Sequence, residues 1–214
     1  MSIIYVSENA YDAVISHIRS MGHEAELTVD AENLSAPVAS HADLRFCRLG
    51  IAPGAPVYAG DPGSLGPVYP GDVRFCAACT GRYVICNARY TDPGLLSSAE
   101  AAGMELVDVK QGYAKCNTLI VDEESIITSD QGISRACEKA GLAVLTVHEG
   151  HITLPGYDHG FIGGASGRIG REIIFNGDVT AHPDYPLIRR FITERGLLLT
   201  WFDGLPLADI GSIV

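Results

Sequence analysis

A helix followed by a glycine and a strand occurs four times in this chain of 214 residues. This repeated pattern limits the possible folds more than any other feature. In each copy a helical stretch ends at a glycine and a short apolar strand follows, which is a usual way for a helix to end. The four glycines are Gly22, Gly103, Gly141 and Gly196. Such a spacing is typical of proteins built from repeated structural units, so we predict a mixed α/β repeat.

A loop and a new strand follow each copy, and the first residues of the new strands are ionisable. The segment at Asp43 returns at Asp72, because Asp-Leu-Arg-Phe-Cys is repeated there as Asp-Val-Arg-Phe-Cys. This adds a fifth copy, and the copy at Asp43 has a Pro/Gly-rich connection in place of a helix. The strand starts contain, in chain order, His41 with Asp43, Asp72, Cys116, Asp158 with His159, and Asp209.

The five copies predict a five-bladed, pseudo-symmetric α/β propeller of ββαβ units, with one unit lacking its helix. The last unit is divided, since residues 210–214 supply its first strand and residues 3–29 supply the rest. Pairing of these N- and C-terminal strands would close the ring and remove exposed sheet edges. We expect a single domain over residues 1–214, because no linker interrupts the pattern.

In such a ring the strand starts face one central pocket. Side chains two residues apart on a strand share a face, so Arg45 and Arg74 are expected to point inward too. Four carboxylates and a thiol around one axis repel one another unless they are paired. The pocket is therefore either neutralised by the arginines or open to a cationic ligand. The residues expected there are Asp43, Asp72, Cys116, Asp158 and Asp209, with His41 and His159 close by.

Cys116 is the candidate nucleophile. It precedes an apolar strand and follows Lys115, whose positive charge would favour the reactive thiolate. The alternative is a buried structural cysteine, since free cysteine is among the most buried residue types. Its position in the repeat, where the other copies carry ionisable residues, favours the nucleophile.

The composition limits the kinds of partner that the chain is expected to bind. The chain has 26 acidic and 15 basic residues, and its formal charge of −11 disfavours nucleic acid and favours a cationic ligand. No apolar run approaches a membrane span and no leader is evident, so we expect no membrane partner and a cytoplasmic location. The six cysteines are expected to be reduced. The sequence does not indicate an oligomeric state.

We expect no metal and no cofactor. Cys76 and Cys79 have the spacing of a zinc-binding pair, but no second pair follows, and packing between two strands is the favoured interpretation. The glycine-rich residues 163–170 lie between two predicted strands. They do not precede a helix, as a phosphate-binding loop must, so a nucleotide site is excluded.

The motif His41-x-Asp43, with Cys116 two units later, resembles the guanidino-group-modifying enzymes of the pentein superfamily, and the chain looks like a bacterial branch of them. The order of the units is permuted relative to that family. Its Glu/Asp-Gly-Gly-Asp signature is not present as such, and residues 207–211 are the nearest fragment. The resemblance implies the propeller fold and a cysteine-dependent chemistry.

The implied activity is hydrolysis or amidino transfer on a small guanidinium or amidinium compound, through a covalent thiouronium-type intermediate. The resemblance implies that Cys116 attacks the guanidinium carbon and that His41 protonates the departing amine and then activates water. Asp43, Asp158 and Asp209 would hold the cation. The remaining expected substrate-binding residues are Asp72, Arg45, Arg74 and His159.

The alternative is a non-catalytic binding or interaction protein, because the same superfamily fold also serves ribosome anti-association factors and fold alone does not fix function. That alternative predicts that Cys116 is buried or paired and that His41 points away from it.

Overall fold

The computed structural model describes residues 1–214 as thirteen short strands and five helices, joined by irregular segments and short 3₁₀ turns. The first half contains β1 (Ile3–Ser7), α1 (Asp12–Ser20), β2 (Glu24–Thr28), β3 (Phe46–Arg48), β4 (Val57–Ala59), β5 (Ala78–Cys79), β6 (Tyr83–Cys86), α2 (Pro93–Ala101) and β7 (Glu105–Asp108). The second half contains α3 (Ala114–Asn117), β8 (Thr118–Asp122), β9 (Ser125–Thr128), α4 (Gln131–Lys139), β10 (Ala143–Thr146), β11 (Ser166–Ile169), β12 (Glu172–Phe175), α5 (Tyr185–Thr193) and β13 (Leu198–Thr200). None of these helices has the length and apolar character needed to cross a membrane.

The strands form five small, separate sheets. Strands β1 and β2 are parallel, and β3 and β4 are antiparallel. The other three sheets, β5-β6-β7, β8-β9-β10 and β11-β12-β13, each join an antiparallel pair to a parallel pair. A helix connects each parallel pair, namely α1, α2, α4 or α5, because parallel neighbours need a long crossover.

The predicted closed, five-bladed propeller is wrong. Every strand pairs within its own sheet of two or three strands, and no sheet is closed. Residues 210–214 do not form the predicted closing strand, although Tyr5 and Val214 exchange two backbone hydrogen bonds of 2.8 and 2.9 Å. The physical reason lies at Gly211 and Ser212, which both have φ near 70° and turn the backbone out of the extended conformation.

The helix ends follow local chemistry. Asp92 and Asp130 cap α2 and α4, since each side chain accepts N–H bonds from the first helical turn. Ser7 does not cap the first helix, because it ends β1 and α1 begins at Asp12. The Ser7 hydroxyl instead lies 2.7 Å from the Ser40 hydroxyl.

Each large helix buries one stripe against its own sheet. Ile188 and Ile192 of α5 pack with Ile173 and Phe175 of β12 in the largest of five apolar clusters. The same arrangement holds α1 against β1 and α4 against β9. Burial of each such side chain contributes about 1.5–3 kcal/mol, so each sheet that has a crossover helix is fixed mainly by that helix.

Four segments outside the sheets meet at one place, which we call the junction. They are residues 41–44 before β3, helix α3 before β8, residues 160–164 before β11, and residues 209–212. Main-chain hydrogen bonds join them: Gly164 donates to Cys116 (2.7 Å), Asp43 donates to Gly211 (3.0 Å) and Ser212 donates to Gly164 (2.8 Å). The junction therefore holds distant parts of the chain in fixed register.

Candidate functional site

Cys116 lies at the centre of the junction, on the single-turn helix α3. Its thiol donates a hydrogen bond to Asp43 Oδ2 at 2.9 Å, and its Sγ is 3.9 Å from the Sγ of Cys76. Only 2% of the residue is exposed, so Cys116 is a buried thiol. The α3 turn explains this, since it places Cys116 within an apolar cluster beneath the start of β8.

The Cys116 thiol is held in its protonated form. The neighbouring Cys76 thiol, burial, and the negative charges of Asp43 and Asp209 all raise its pKa well above the ordinary value. The predicted activation by Lys115 is not found, because Lys115 instead acts to lower the pKa of Asp209. A thiolate at Cys116 therefore requires an additional positive charge in the junction.

Asp43 is the carboxylate in contact with the thiol. It lies on the 3₁₀ turn Ala42–Leu44 and is fully buried. Its Oδ2 also accepts a hydrogen bond of 2.7 Å from the Ser212 hydroxyl, whereas its Oδ1 has no hydrogen-bond partner. A buried acceptor without a donor costs free energy, so Asp43 Oδ1 is a position where a ligand N–H would be stabilising.

His41 also belongs to the group and precedes Asp43 by two residues in the chain. Its Nε2 lies 4.0 Å from Asp209 Oδ1, and its Nδ1 is buried without a partner. Burial lowers the pKa of His41, although the nearby charge of Asp43 opposes the shift. The imidazole is therefore neutral near pH 7 and able to take up a proton.

Asp209 is the second buried carboxyl group. Its two oxygens accept hydrogen bonds of 2.9 Å from the N–H groups of Gly211 and Phe161. Burial raises the pKa of Asp209 to about 6, although these two bonds and the charge of Lys115 act in the opposite direction. The carboxyl group thus titrates close to neutral pH.

Glycines leave the space that these side chains occupy. A Cβ on Gly211 would overlap His41, and a Cβ on Gly160 or Gly164 would overlap Asp209. Gly163 fits directly against the backbone of α3 in the same way. The glycine-rich stretch after Asp158 therefore has a packing role at the junction.

The two arginines expected in the pocket point elsewhere. Arg45 donates to the main-chain carbonyl oxygens of Val29 and Ala39, and Arg74 forms an ion pair with Asp92 at 3.1 Å. The expectation that they face the central carboxylates is wrong, since neither β3 nor β5 includes these residues and the alternation of strand side chains does not apply.

Three further predicted residues lie outside the group. Asp158 is exposed and has no hydrogen bond or ion pair with the group, and His159 is half-buried with its Nδ1 3.0 Å from the Gly160 carbonyl oxygen. Asp72 is buried, but its Oδ2 accepts from the Tyr113 hydroxyl and its Oδ1 has no partner. The junction thus gathers Cys116, His41, Asp43 and Asp209 alone from the predicted set.

Ser212 was not predicted. Its hydroxyl lies between Asp43 Oδ2 and the Gly163 carbonyl oxygen, 2.7 and 2.8 Å away, and its φ of 70° is the single positive value among non-glycine residues. The sequence signal is weak, since it consists of one small polar residue after a glycine. Only the folded junction reveals that Ser212 orients Asp43.

A metal ion has one possible place among these residues. His41, Asp43 and Cys116 each offer one ligand atom, and these three atoms lie within 4.8 Å of one another. Imidazole, carboxylate and thiolate are the ligands that zinc accepts in proteins. The cysteine pair considered from the sequence is divided, since Cys79 Sγ lies 3.5 Å from Cys47 Sγ and Cys76 faces Cys116.

The fold and the junction define a mixed α/β protein with a buried cluster of thiol, imidazole and carboxyl groups. The chain belongs to the family of unknown function DUF6873, which it matches over residues 57–214. That match includes Cys116 and Asp209, whereas His41 and Asp43 precede it. No curated protein and no solved structure matches the chain.

Proposed function

We propose that the chain is a cysteine-dependent hydrolase or amidinotransferase that acts on a small guanidinium or amidinium compound. The observation that carries this proposal is the meeting of Cys116, His41 and Asp43, whose reactive atoms lie within 4.8 Å of one another. The resemblance of the motif to guanidino-group-modifying enzymes supports the same roles for these three residues. A nucleophile, a proton carrier and a carboxylate are the groups that such a reaction needs.

The charge of the junction supports a cationic substrate. Asp43 and Asp209 lie near the thiol, Arg45 and Arg74 point away, and Asp43 Oδ1 has no donor. A planar cation would donate N–H groups to these carboxylates and would stabilise the Cys116 thiolate at the same time. The substrate itself then generates the nucleophile.

The proposed reaction has two stages. His41 takes the thiol proton as Cys116 Sγ bonds to the substrate carbon, and it gives that proton to the departing amine as the C–N bond breaks. Water, deprotonated by His41, then attacks the thiouronium carbon and the C–S bond breaks. In amidino transfer an amine takes the place of the water.

The junction is closed, so catalysis includes an opening step. Leu154 and Phe161 belong to the apolar cluster that surrounds Cys116. Some of the side chains in this cluster must move before a substrate can reach the thiol, as in enzymes whose loops open for binding and release. Closure afterwards excludes bulk water from the thiouronium intermediate.

The test is turnover by the intact chain with alkylguanidines and N-methylated guanidines. Released ammonia, alkylamine and ureido product would be measured with EDTA present, so that adventitious metal is excluded. Cys116→Ala should abolish turnover, and His41→Ala should lower the rate about 10²–10⁴-fold. Cys137→Ala removes a buried thiol on α4 and serves as the control, with turnover retained. Turnover that survives Cys116→Ala would contradict the proposal.

The second candidate is a non-catalytic binding protein. The burial of Cys116 and its contact with Cys76 favour it, because that alternative requires a buried or paired thiol. It predicts that guanidinium compounds raise the melting temperature equally in the wild type and in Cys116→Ala, without any product. The enzyme proposal predicts product and a covalent adduct on Cys116.

The cysteines and the net charge support a cellular location and a kind of partner for either function. We propose a reducing, cytoplasmic location, because all six cysteines are free thiols. The formal charge of −11 supports a small cationic partner over a nucleic acid.

A further inference from the structure

A cavity of about 420 Å³ lies apart from the group around Cys116. Neither Cys116, His41 nor Asp43 lines it. Its volume is within the range of sites that bind small molecules. Much of its wall is apolar, and the apolar lining includes Ile4, Phe46, Ile120, Ile169 and Ile213.

Four cationic side chains line the same cavity, although the protein as a whole is acidic. They are Arg48, Lys115, Arg168 and Arg171. None of them takes part in any ion pair within 4.0 Å. The three guanidinium groups donate only to main-chain carbonyl oxygens. Arg48 donates to Ile3 and Ala55, Arg168 to Gly170 and Val121, and Arg171 to Gly196. Their positive charges are therefore not neutralised by direct contact.

Most of the carboxylates near the cavity already have an ion-pair or hydrogen-bond partner. Glu172 is the acidic residue in the lining, and it is bonded to His17 at 2.7 Å and to the Thr200 hydroxyl. An adjoining depression shares Arg168 and Arg171 with the cavity and contains three acidic residues. Two of those are paired, Asp122 with Arg195 and Glu124 with Arg82, which leaves Glu123. Cations thus outnumber free carboxylates around the cavity.

We propose that this cavity binds a small organic anion with an apolar body, such as a medium-chain or aromatic carboxylate. The anionic group would accept N–H bonds from Arg48 and Arg168, since each guanidinium has five donors and uses only some of them. The hydrocarbon would cover the isoleucine wall. This site is separate from the proposed catalysis and does not depend on it.

Octanoate is the probe, and octanamide is its uncharged match. Titration calorimetry with the full chain would measure both affinities, and methyl NMR shifts of Ile4, Ile169 and Ile213 would locate the bound probe. Octanoate should bind about tenfold more tightly than octanamide or better, because hydrogen bonds to charged groups are worth more than neutral ones. Shifts should concentrate on the three isoleucines.

Substitutions of single arginines test whether positive charge, rather than the shape of the cavity, selects octanoate. Arg48→Gln and Arg168→Gln should each reduce the preference for octanoate about tenfold while octanamide binding stays unchanged. Arg19→Gln neutralises an exposed arginine on α1 that does not line the cavity, and it should match the wild type. Circular dichroism would check folding, and Arg168→Gln carries the test if loss of the Arg48 bond to Ile3 unfolds the chain.

Binding in the Cys116→Ala variant distinguishes this proposal from the catalytic one. Octanoate should bind that variant as it binds the wild type, whatever the outcome of the turnover experiment. The anion site is overturned if octanoate does not bind, if octanamide binds equally well, if both arginine variants keep the preference, or if the shifts fall outside the cavity.

Discussion

At the scale of single residues, Asp209 links the junction to pH. Its pKa is raised by burial to about 6, from an ordinary value of 3.8, so the folded protein holds this proton more tightly than the unfolded chain does. The resulting stabilisation is complete below the unfolded value of 3.8 and is lost as pH rises through about 6. The shift corresponds to about 3 kcal/mol of unfolding free energy.

Asp209→Asn should remove this dependence. Urea unfolding at a series of pH values should show that the stability of the wild type, relative to the variant, falls by about 3 kcal/mol from pH ~4 to pH ~7. The amide can accept only one of the two bonds from Gly211 and Phe161, so the variant carries a constant penalty that does not affect the slope. The exposed Asp158→Asn should keep the wild-type slope. A difference that is independent of pH would show that Asp209 has an ordinary pKa.

The reactivity of Cys116 offers a second test at this scale. A cationic amidine that carries a leaving group should label Cys116 about tenfold faster or more than neutral iodoacetamide, because the carboxylates attract the cation and the cation stabilises thiolate. Asp209→Asn should reduce the preference, whereas Asp158→Asn should not. Peptide mass spectrometry would identify the labelled sites. Slow labelling spread over several cysteines and indifferent to charge would mark Cys116 as a packing residue.

The candidate residues were predictable where their position in the repeat was informative. His41, Asp43, Cys116 and Asp209 were selected because each begins a copy, and the junction brings them together. Asp158 was selected by the same logic but lies on an exposed turn, because Gly160 rather than Asp158 packs against Asp209. Repeat position does not specify which residue of a loop turns inward.

At the scale of elements, the turn at residues 209–212 decides whether the junction closes. Gly211 has φ +70° and leaves no room for a Cβ beside His41, whereas Gly103 at the end of α2 has φ +79° and open space around it. Gly103→Ala should cost about 1–2 kcal/mol from the left-handed conformation alone. Gly211→Ala should cost about 1–3 kcal/mol more, because it also overpacks the turn.

Chemical denaturation of the two glycine variants measures this difference. The comparison isolates packing from backbone strain, since both residues have positive φ. Equal costs would show that the turn yields without loss and that His41 is not held by Gly211.

Helix ends were predictable because their causes are local. Terminal glycines predicted that α2 and α4 end before Gly103 and Gly141, and Asp92 and Asp130 cap the starts of these helices. The strand over residues 210–214 was predicted from its position in the repeat. Its failure depends on the φ values at Gly211 and Ser212, which composition does not reveal.

At the scale of the whole molecule, the last residues contribute to the core. Ile210 and Ile213 are buried with β1 and α1, and Ser212 bonds to Asp43. Deleting residues 210–214 should abolish cooperative unfolding, because loss of two buried isoleucines costs about 2–5 kcal/mol each against a total stability of about 5–15 kcal/mol. Deleting the exposed Met1 should leave the transition unchanged. A truncated chain that melts like the intact one would rule out this role.

The local units of strand, helix and strand could be predicted from the sequence. The placement of the sheets relative to one another could not. Four copies do form a parallel strand pair with a crossover helix, because periodicity and glycine stops determine them. How separate sheets are placed depends on contacts between irregular segments, such as the hydrogen bond from Gly164 to Cys116. Irregular backbone has no sequence period, so a ring was inferred where five independent sheets occur.

The hydrogen bonds of Asp43 have a consequence for biosynthesis. Asp43 meets Cys116 across 73 residues and Ser212 across 169 residues, so its partners are translated at widely separated times. Bringing such distant segments together is slow relative to forming local helices. The complete group therefore forms only after the turn at residues 209–212 has been synthesised, because Asp209 and Ser212 both lie on that turn.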